Sequence, residues 1–196
     1  AIVHLVRCFD SEEIQHVNKK IDPLSDLETI KTEILLSEIN LIQKKLEKNQ
    51  RKKMTEKEIL NFDYALKRLN KGEDLNDDND LERKKILIQA GLISIKPYII
   101  VCNVDEKNVQ SGNKYTENIK KNYPDKKIII ICADIEDQIT ELNLEEREVY
   151  MKNIGLEKTG LNQLIKNGYD LLNLTTYFTS GPEETRAWTV KKNTNA

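Results

Sequence analysis

Three short apolar runs constrain the fold of this chain more than any other feature. They cover residues 1–9, 98–103 and 128–132, and the last two read YIIVCN and IIIIC. Continuous apolar runs of this length are typical of strands that are buried on both faces of a parallel sheet. A polar, helix-like segment at 112–123 separates the last two runs, and this order predicts two parallel strands joined by a crossover helix. We therefore predict an α/β fold with a three-stranded parallel sheet.

A long helical pattern interrupts the sheet between the first and second runs. Pro23 permits a helix start, and Ser25–Glu28 has the pattern of a capping box. A second capping box at Thr55–Glu58 opens a returning apolar stripe, which ends near residue 69. The economical structure for this pattern is a pair of antiparallel helices with a basic tip.

Further elements are predicted on either side of the second and third runs. An acidic loop and a short helix should follow the helical pair, near 70–80 and 81–90, and two more helices should cover 140–153 and 160–172. The segment TTYFTSGPEETRAWTV contains two strand-like runs around a Ser-Gly-Pro turn, which is typical of a β-hairpin. Because a lone hairpin is marginally stable in water, we expect this one to belong to a larger domain.

Composition and cysteine content narrow the function classes. Charged residues make up 33% of the 196 residues and the net charge is −2, which argues against a general affinity for DNA. No apolar run approaches the roughly 18 residues that span a bilayer. The chain starts inside a strand-like run without Met, so we expect a piece of a longer protein. Cys8, Cys102 and Cys132 fit no zinc spacing, which favours packing roles in a reduced, cytoplasmic chain with no metal site.

The carboxyl ends of the predicted strands carry the residues of greatest chemical interest, because ligands bind at this edge of open α/β sheets. The second run ends in the tetrapeptide NVDE, which begins at Asn103. An Asn carboxamide can donate to N7 of adenine and accept from its 6-amino group, whereas guanine presents two acceptors there. Guanine-binding proteins of related fold use Asn-Lys-x-Asp, and here Val104 and Glu106 replace the Lys and the Asp. The tetrapeptide therefore favours adenine, unless it is an ordinary strand-to-loop junction with surface acids.

Several segments together resemble the YchF subfamily of Obg-like ATPases, within the P-loop NTPases. They are AIVHLVRCFDSEEIQHVNKKIDPLSDLETI, NVDE, CADIE, GLEKTGLNQLI and LTTYFTSGPEETRAWTV, and they occur in this order from end to end of the chain. The resemblance implies a partial P-loop NTPase sheet with an α-helical coiled-coil insertion and the first hairpin of a TGS (β-grasp) domain. It divides the chain into the nucleotide-binding domain at 1–22 and 91–172, the insertion at 23–90 and the start of the TGS domain at 173–196.

The resemblance also implies a function and a set of site residues. Members of this family hydrolyse ATP in preference to GTP, use Mg²⁺ and associate with ribosomes. By this resemblance Asn103 hydrogen-bonds adenine, Val104 packs beside the base, and the backbone N–H groups of Cys132 and Ala133 face the purine. Glu106 completes the Asn-x-x-Glu motif and is not assigned as a direct ligand.

The chain departs from the family pattern where phosphates and metal would bind. It contains no G-x-x-x-x-G-K-[ST] segment and none of the switch segments that help to hold Mg²⁺. Because catalysis in this class depends on groups placed around the phosphates, we assign no catalytic residue and expect the chain alone to be inactive. His4 and His16 support no catalytic constellation, and His4 is expected to be packed within the first strand.

The basic tip of the helical pair is a candidate contact for ribosomal RNA, although charges on exposed helices are often simply solvated. Its cationic residues are Lys44, Lys45, Lys48, Arg51, Lys52 and Lys53. A second hypothesis is a non-catalytic interaction module, in which the helical hairpin binds a protein or RNA partner without nucleotide.

Overall fold

The computed structural model describes residues 1–11, 21–47 and 52–194. The chain divides into two compact units. Ala1–Leu24 and Tyr98–Ala196 form one of them, which we call the α/β unit, and Ser25–Pro97 forms the other, which we call the helical unit.

The helical unit contains α1 (Pro23–Leu46, whose first two residues are grouped with the other unit), α2 (Glu56–Leu69) and α3 (Leu81–Gln89). The three helices and the segments that follow α2 and α3 share one apolar core. Its buried members are Leu35, Ile42, Phe62, Ala65, Leu69, Leu75, Leu87, Leu92 and Ile95.

An ion pair at one end of α1 and the proximity of charges at the other show its direction relative to α2. Lys31, near the start of α1, pairs with Asp74 just after the end of α2, with 3.5 Å between Nζ and Oδ2. At the other end, hydrogen bonds from Thr55 lower the pKa of Glu58, and the nearby charge of Lys45 lowers it further. The two helices therefore run in opposite directions. Their designation as a coiled-coil insertion stays a prediction.

The two predicted capping boxes have different outcomes. The box at Thr55–Glu58 is confirmed: the Thr55 hydroxyl accepts from the Glu58 N–H, and the Glu58 carboxylate accepts from the Thr55 N–H. The box at Ser25–Glu28 is wrong, because α1 begins at Pro23 and Ser25 lies inside its first turn. Proline is favoured at the first helical position, where its missing N–H has no partner to lose.

The helical unit ends at Pro97, and not at residue 90 as we expected for the insertion. Leu92 and Ile95 are buried in the helical core, which explains the difference. The buried Glu38 carboxylate reinforces this boundary, since it accepts hydrogen bonds from the backbone N–H groups of Ile93 and Ser94.

The α/β unit is built on a parallel sheet of β1 (Ile2–Arg7), β2 (Tyr98–Asn103) and β3 (Lys127–Ile131), in the order β1-β2-β3. The central strand is the most buried, with Ile99, Ile100, Val101 and Cys102 each at most 1% exposed. The predicted parallel sheet is confirmed, because β1 and β3 both pair parallel with β2. The expected burial of both faces is wrong for β1, where Val3 is 48% and Leu5 60% exposed.

Helices and a hairpin complete this unit. The helices are α4 (Lys114–Asn122), α5 (Ala133–Glu141), α6 (Leu144–Asn153) and α7 (Gly160–Leu171). We did not predict α5 as a separate helix, although Ile135 and Ile139 have helical spacing and both are buried. We assigned 140–153 to one helix, whereas α6 begins at Leu144.

The hairpin consists of β4 (Leu174–Ser180) and β5 (Thr185–Lys191), which pair antiparallel. An ion pair of 2.9 Å between Lys192 Nζ and Asp170 Oδ1 connects its end to the end of α7. The hairpin is grouped with the α/β unit, and its assignment to a TGS domain stays a prediction. Among the described helices, none combines the length and the hydropathy of a membrane span.

Candidate nucleotide-base site

Asn103 is the last residue of the central strand β2, so it lies where the three strands end together. It is in register with Arg7 on β1 and Ile131 on β3. Its carbonyl accepts a hydrogen bond of 2.7 Å from the Cys8 N–H, which continues the pairing past the end of β1. The side chain of Asn103 is half-buried. Asn103 therefore lies at the carboxyl edge of the parallel sheet, where the sequence predicted it.

The carboxamide of Asn103 is oriented by the start of α5. Its Oδ1 accepts a hydrogen bond of 2.9 Å from the backbone N–H of Ala133, the first residue of that helix. The first N–H groups of a helix have no partner within the helix, so this contact satisfies one of them. We expected this N–H group to face a purine, and the structure instead directs it to Asn103. Among the described residues, Asn103 Nδ2 donates no hydrogen bond.

Val104 does not have the environment that we expected. We assigned it to pack beside a base, but it is buried at 2% exposure. Its backbone N–H donates a 2.8 Å hydrogen bond to the Ile131 carbonyl, so pairing with β3 continues one residue beyond Asn103. The Val104 side chain therefore lies in the core and presents almost no surface to a ligand.

The three cysteines are buried in the α/β unit. Cys132 precedes α5, and its carbonyl accepts from the Glu136 N–H at 3.0 Å. Burial raises the pKa of the Cys132 thiol, so the residue contributes backbone groups to the site and not a reactive sulfur. A hydrogen bond with Cys8 lowers the pKa of Cys102. Both side chains are fully buried, in agreement with the packing roles predicted from the sequence.

Glu106 is exposed and begins a short 3₁₀ helix, Glu106–Asn108. Its Oε1 accepts a hydrogen bond of 3.2 Å from Nε2 of Gln138, on α5. The Oε1 of Gln138 accepts in turn from the hydroxyl of Tyr150, on α6, at 2.5 Å. Burial, and then the negative charge of Glu106, raise the pKa of Tyr150. No motif in the sequence pointed to Gln138 or Tyr150.

The loop that follows the tetrapeptide is anchored at further points. Asn108 donates from its backbone N–H to the Asp105 carbonyl at 3.0 Å and from its side chain to the Asp105 carboxylate. Gln110 donates to the carbonyl of Ile154, just after α6. Gly155 has a φ of +68°, and a Cβ atom there would collide with the Gln110 side chain. The loop after β2 and the end of α6 are therefore fixed to one another.

Glu136, in the CADIE segment, has a structural role. Its carboxylate accepts from the backbone N–H groups of Gly160 and Leu161, at the start of α7. A negative charge at a helix N-terminus also interacts favourably with the helix dipole. Glu136 therefore fixes α7 to α5 and is not directed toward a ligand.

The remaining predicted residues belong to other regions. Lys44 and Lys45 lie at the end of α1, and Lys52 and Lys53 precede α2; all but Lys45 are exposed. Lys48, Arg51 and His16 lie outside the described residues. His4 packs edge-on against the Tyr98 ring with 5.1 Å between ring centroids, as expected for a packed residue.

The amino-acid sequence of the whole chain was compared with those of known proteins. No family model matches it. It is 35% identical over 206 residues to the ribosome-binding ATPase YchF of Bacillus subtilis, covering all of this chain and 56% of the relative. For the protein of the same name from Escherichia coli O157:H7, the identity is 34% over 198 residues, covering 97% of this chain and 54% of the relative.

A solved structure agrees with these relatives. The YchF GTPase of Schizosaccharomyces pombe matches with a TM-score of 0.83 and 29% identity, covering 100% of this chain and 56% of that one. The chain spans about half the length of the curated relatives that it matches. Over the segment that it shares with them, the chain therefore belongs to the YchF family.

Proposed function

We propose that this chain supplies the base-recognition half of the nucleotide site in a cytoplasmic, ribosome-associated ATPase that prefers ATP to GTP. The bacterial relatives are ribosome-binding ATPases, and the fission yeast relative is a GTPase. Because these names differ in the nucleotide, the base preference must be argued from the residues of this chain.

The observation that carries the proposal is the oriented carboxamide of Asn103. Its Oδ1 already accepts from the Ala133 N–H, which fixes Nδ2 on the opposite side of the amide. Nδ2 is the donor that adenine N7 requires, and Oδ1 has a second lone pair for the 6-amino group of adenine. Guanine has an oxygen in place of that amino group, so Oδ1 would face another acceptor. The Asn103 carboxamide therefore matches adenine better than guanine.

The proposal assigns the described residues of this chain to the base and places the groups that bind the phosphates and Mg²⁺ elsewhere in the full-length protein. The described residues contain no group of three His, Cys, Asp or Glu side chains that could hold a metal ion. The sequence also contains no phosphate-binding P-loop motif. We therefore propose hydrolysis of ATP with Mg²⁺ for the full-length protein, and we expect the isolated chain to bind ATP weakly or not at all. Micromolar binding of ATP by the isolated chain in calorimetry would contradict this division of the site.

The experiment that tests the base site is calorimetry of ATP and GTP binding by the full-length protein and its Asn103→Ala variant. Loss of the two base hydrogen bonds should weaken ATP binding by about tenfold. Asn118→Ala is a matched control, because Asn118 is exposed on α4. Unchanged ATP affinity in Asn103→Ala, or tighter binding of GTP than of ATP by the unmodified protein, would contradict the proposal.

A second candidate function is partner binding by the helical unit without nucleotide. Large apolar side chains are exposed in this unit, with Leu36 at 56%, Leu60 at 69% and Leu81 at 74%. The basic tip adds a surface that suits ribosomal RNA. Replacing its six cationic residues with Gln should lower co-sedimentation with ribosomes and reduce its salt dependence, and no change would exclude the tip as the contact. Ribosome binding that is insensitive both to ATP and to Asn103→Ala would favour the nucleotide-independent module.

A further inference from the structure

The carboxylate of Glu106 accepts a hydrogen bond from a side chain on α5, which is itself held by a side chain on α6. Gln138 Nε2 donates to Glu106 Oε1 at 3.2 Å, and the Tyr150 hydroxyl donates to Gln138 Oε1 at 2.5 Å. An amide side chain has its oxygen and its NH₂ group on opposite sides. Because Tyr150 donates to the oxygen of Gln138, the NH₂ group must face Glu106. Tyr150 thus determines which way Gln138 points, and Gln138 determines where the carboxylate of Glu106 lies.

We propose that Gln138 and Tyr150 form a latch that keeps the Glu106 carboxylate away from the base and so excludes guanine. This inference rests on the proposed function, since it concerns the base that Asn103 binds. Gln138 and Tyr150 are positioning residues that act through Glu106.

The chemistry of guanine explains why the position of this carboxylate matters. Guanine presents two adjacent donors, N1–H and the 2-amino group, and a carboxylate in that plane would accept from both. Adenine has no donor at either position, so a carboxylate there would face the lone pair of its N1. Glu106 is long and exposed, and without a restraint its carboxylate could turn toward the base. The latch directs it to α5 instead.

Glu106 and Gln138 are exposed, but the packing of α6 against the loop after β2 supports this restraint. The end of α6 is fixed to the same loop by the hydrogen bond from Gln110 to the Ile154 carbonyl, and Gly155 allows their close approach. This contact holds α6, and with it Tyr150, in place relative to Glu106. Tyr150 itself is half-buried, which limits its rotation.

The experiment uses the full-length protein with two separate changes, Tyr150→Phe and Gln138→Leu. Each releases Glu106, so binding of GTP should become about tenfold tighter, while ATP affinity should stay within about twofold. Inosine triphosphate has N1–H but no 2-amino group, so its gain should be smaller than that of GTP. Tyr169→Phe is the matched control, since its hydroxyl contacts Thr189, 3.2 Å away on the hairpin, and it should not change the ratio of the two affinities.

A double variant separates the latch from a general loosening of the site. Glu106→Gln replaces the carboxylate with an amide, so in the Tyr150→Phe background it should abolish the gain in GTP affinity. Thermal unfolding identifies any variant that fails to fold. If Gln138→Leu does not fold, the conservative Tyr150→Phe change still tests the proposal. Either an unchanged ratio of ATP to GTP affinity in Tyr150→Phe or a gain that persists without the carboxylate would overturn the latch. If the unmodified protein binds neither nucleotide, both proposals fail; if ATP binding depends on Asn103 and the ratio does not move, only the latch fails.

Discussion

The buried polar side chains of the helical unit differ from the Asn103 carboxamide of the α/β unit in how fully they are satisfied. In the helical unit, charged groups are satisfied by one another or by the backbone: Arg83 Nη1 lies 2.8 Å from Asp78 Oδ2, and the buried Glu38 carboxylate accepts from the Ser94 N–H at 2.8 Å. In the α/β unit, the half-buried carboxamide of Asn103 uses its oxygen for the Ala133 N–H, while its NH₂ group donates to no described residue, at the edge where we propose that the base binds.

This difference separates residues that stabilise the fold from residues that can bind a ligand. Removing a buried polar group of the helical unit, such as the Asp78 carboxylate, takes a hydrogen bond from its partner, so the effect should appear in the free energy of unfolding. Removing the Asn103 side chain at the end of β2 should change nucleotide affinity more than stability. Each comparison below tests one side of this contrast.

The largest expected loss of stability comes from replacing Asp78, which is 5% exposed and pairs with Arg83. Asp78→Ala should lower the free energy of unfolding by about 2–3 kcal/mol, because the Arg83 guanidinium loses its shortest ion pair and keeps Asp80, 3.4 Å away, and the Asn61 side chain. Asp77→Ala is the matched control: its side chain is 67% exposed and pairs with Arg68 at 2.9 Å, so the loss should be about 1 kcal/mol or less. Urea unfolding measures both, and equal losses would break the contrast between buried and exposed pairs.

A smaller loss of stability is expected on replacing Glu136, which lies on α5 just after the end of β3. Glu136→Ala removes the acceptor for two N–H groups at the start of α7, and should cost about 1–2 kcal/mol of stability. In the full-length protein, ATP affinity should stay within about twofold, since Glu136 faces α7. A loss of ATP binding at unchanged stability would instead make Glu136 part of the base site.

The pH dependence of the free energy of unfolding should also reveal the buried ion pair of the helical unit. Burial alone would raise the pKa of Asp78, but hydrogen bonds from Arg83 and the Asp80 N–H lower it overall. A carboxyl group whose folded pKa is depressed contributes stability above its unfolded pKa of about 3.9, and this is lost as the pH falls through the folded value. Urea unfolding between pH 6 and pH 2 should show this loss of stability for the unmodified protein and a smaller loss for the Asp78→Asn variant. Identical pH dependence would mean that the Asp78 pair contributes nothing to it.

Much of the fold could be predicted, because the apolar runs at 98–103 and 128–132 are long enough to identify buried strands. Asn103 followed from the same reasoning, since it ends the central run. The burial of Val104 could not be predicted, because it depends on one extra backbone hydrogen bond to β3 that the local sequence does not indicate. The contacts of Gln138 and Tyr150 could not be predicted either, because they depend on how α5 and α6 pack around the loop after β2.

The structure of the full-length protein with a non-hydrolysable ATP analogue is the most direct test of the base site. We expect Nδ2 of Asn103 about 3 Å from adenine N7 and its Oδ1 about 3 Å from the 6-amino group, with the Ala133 N–H still directed to Oδ1. A complex in which this carboxamide points away from the purine, with the base recognised by other groups, would contradict the adenine site proposed here.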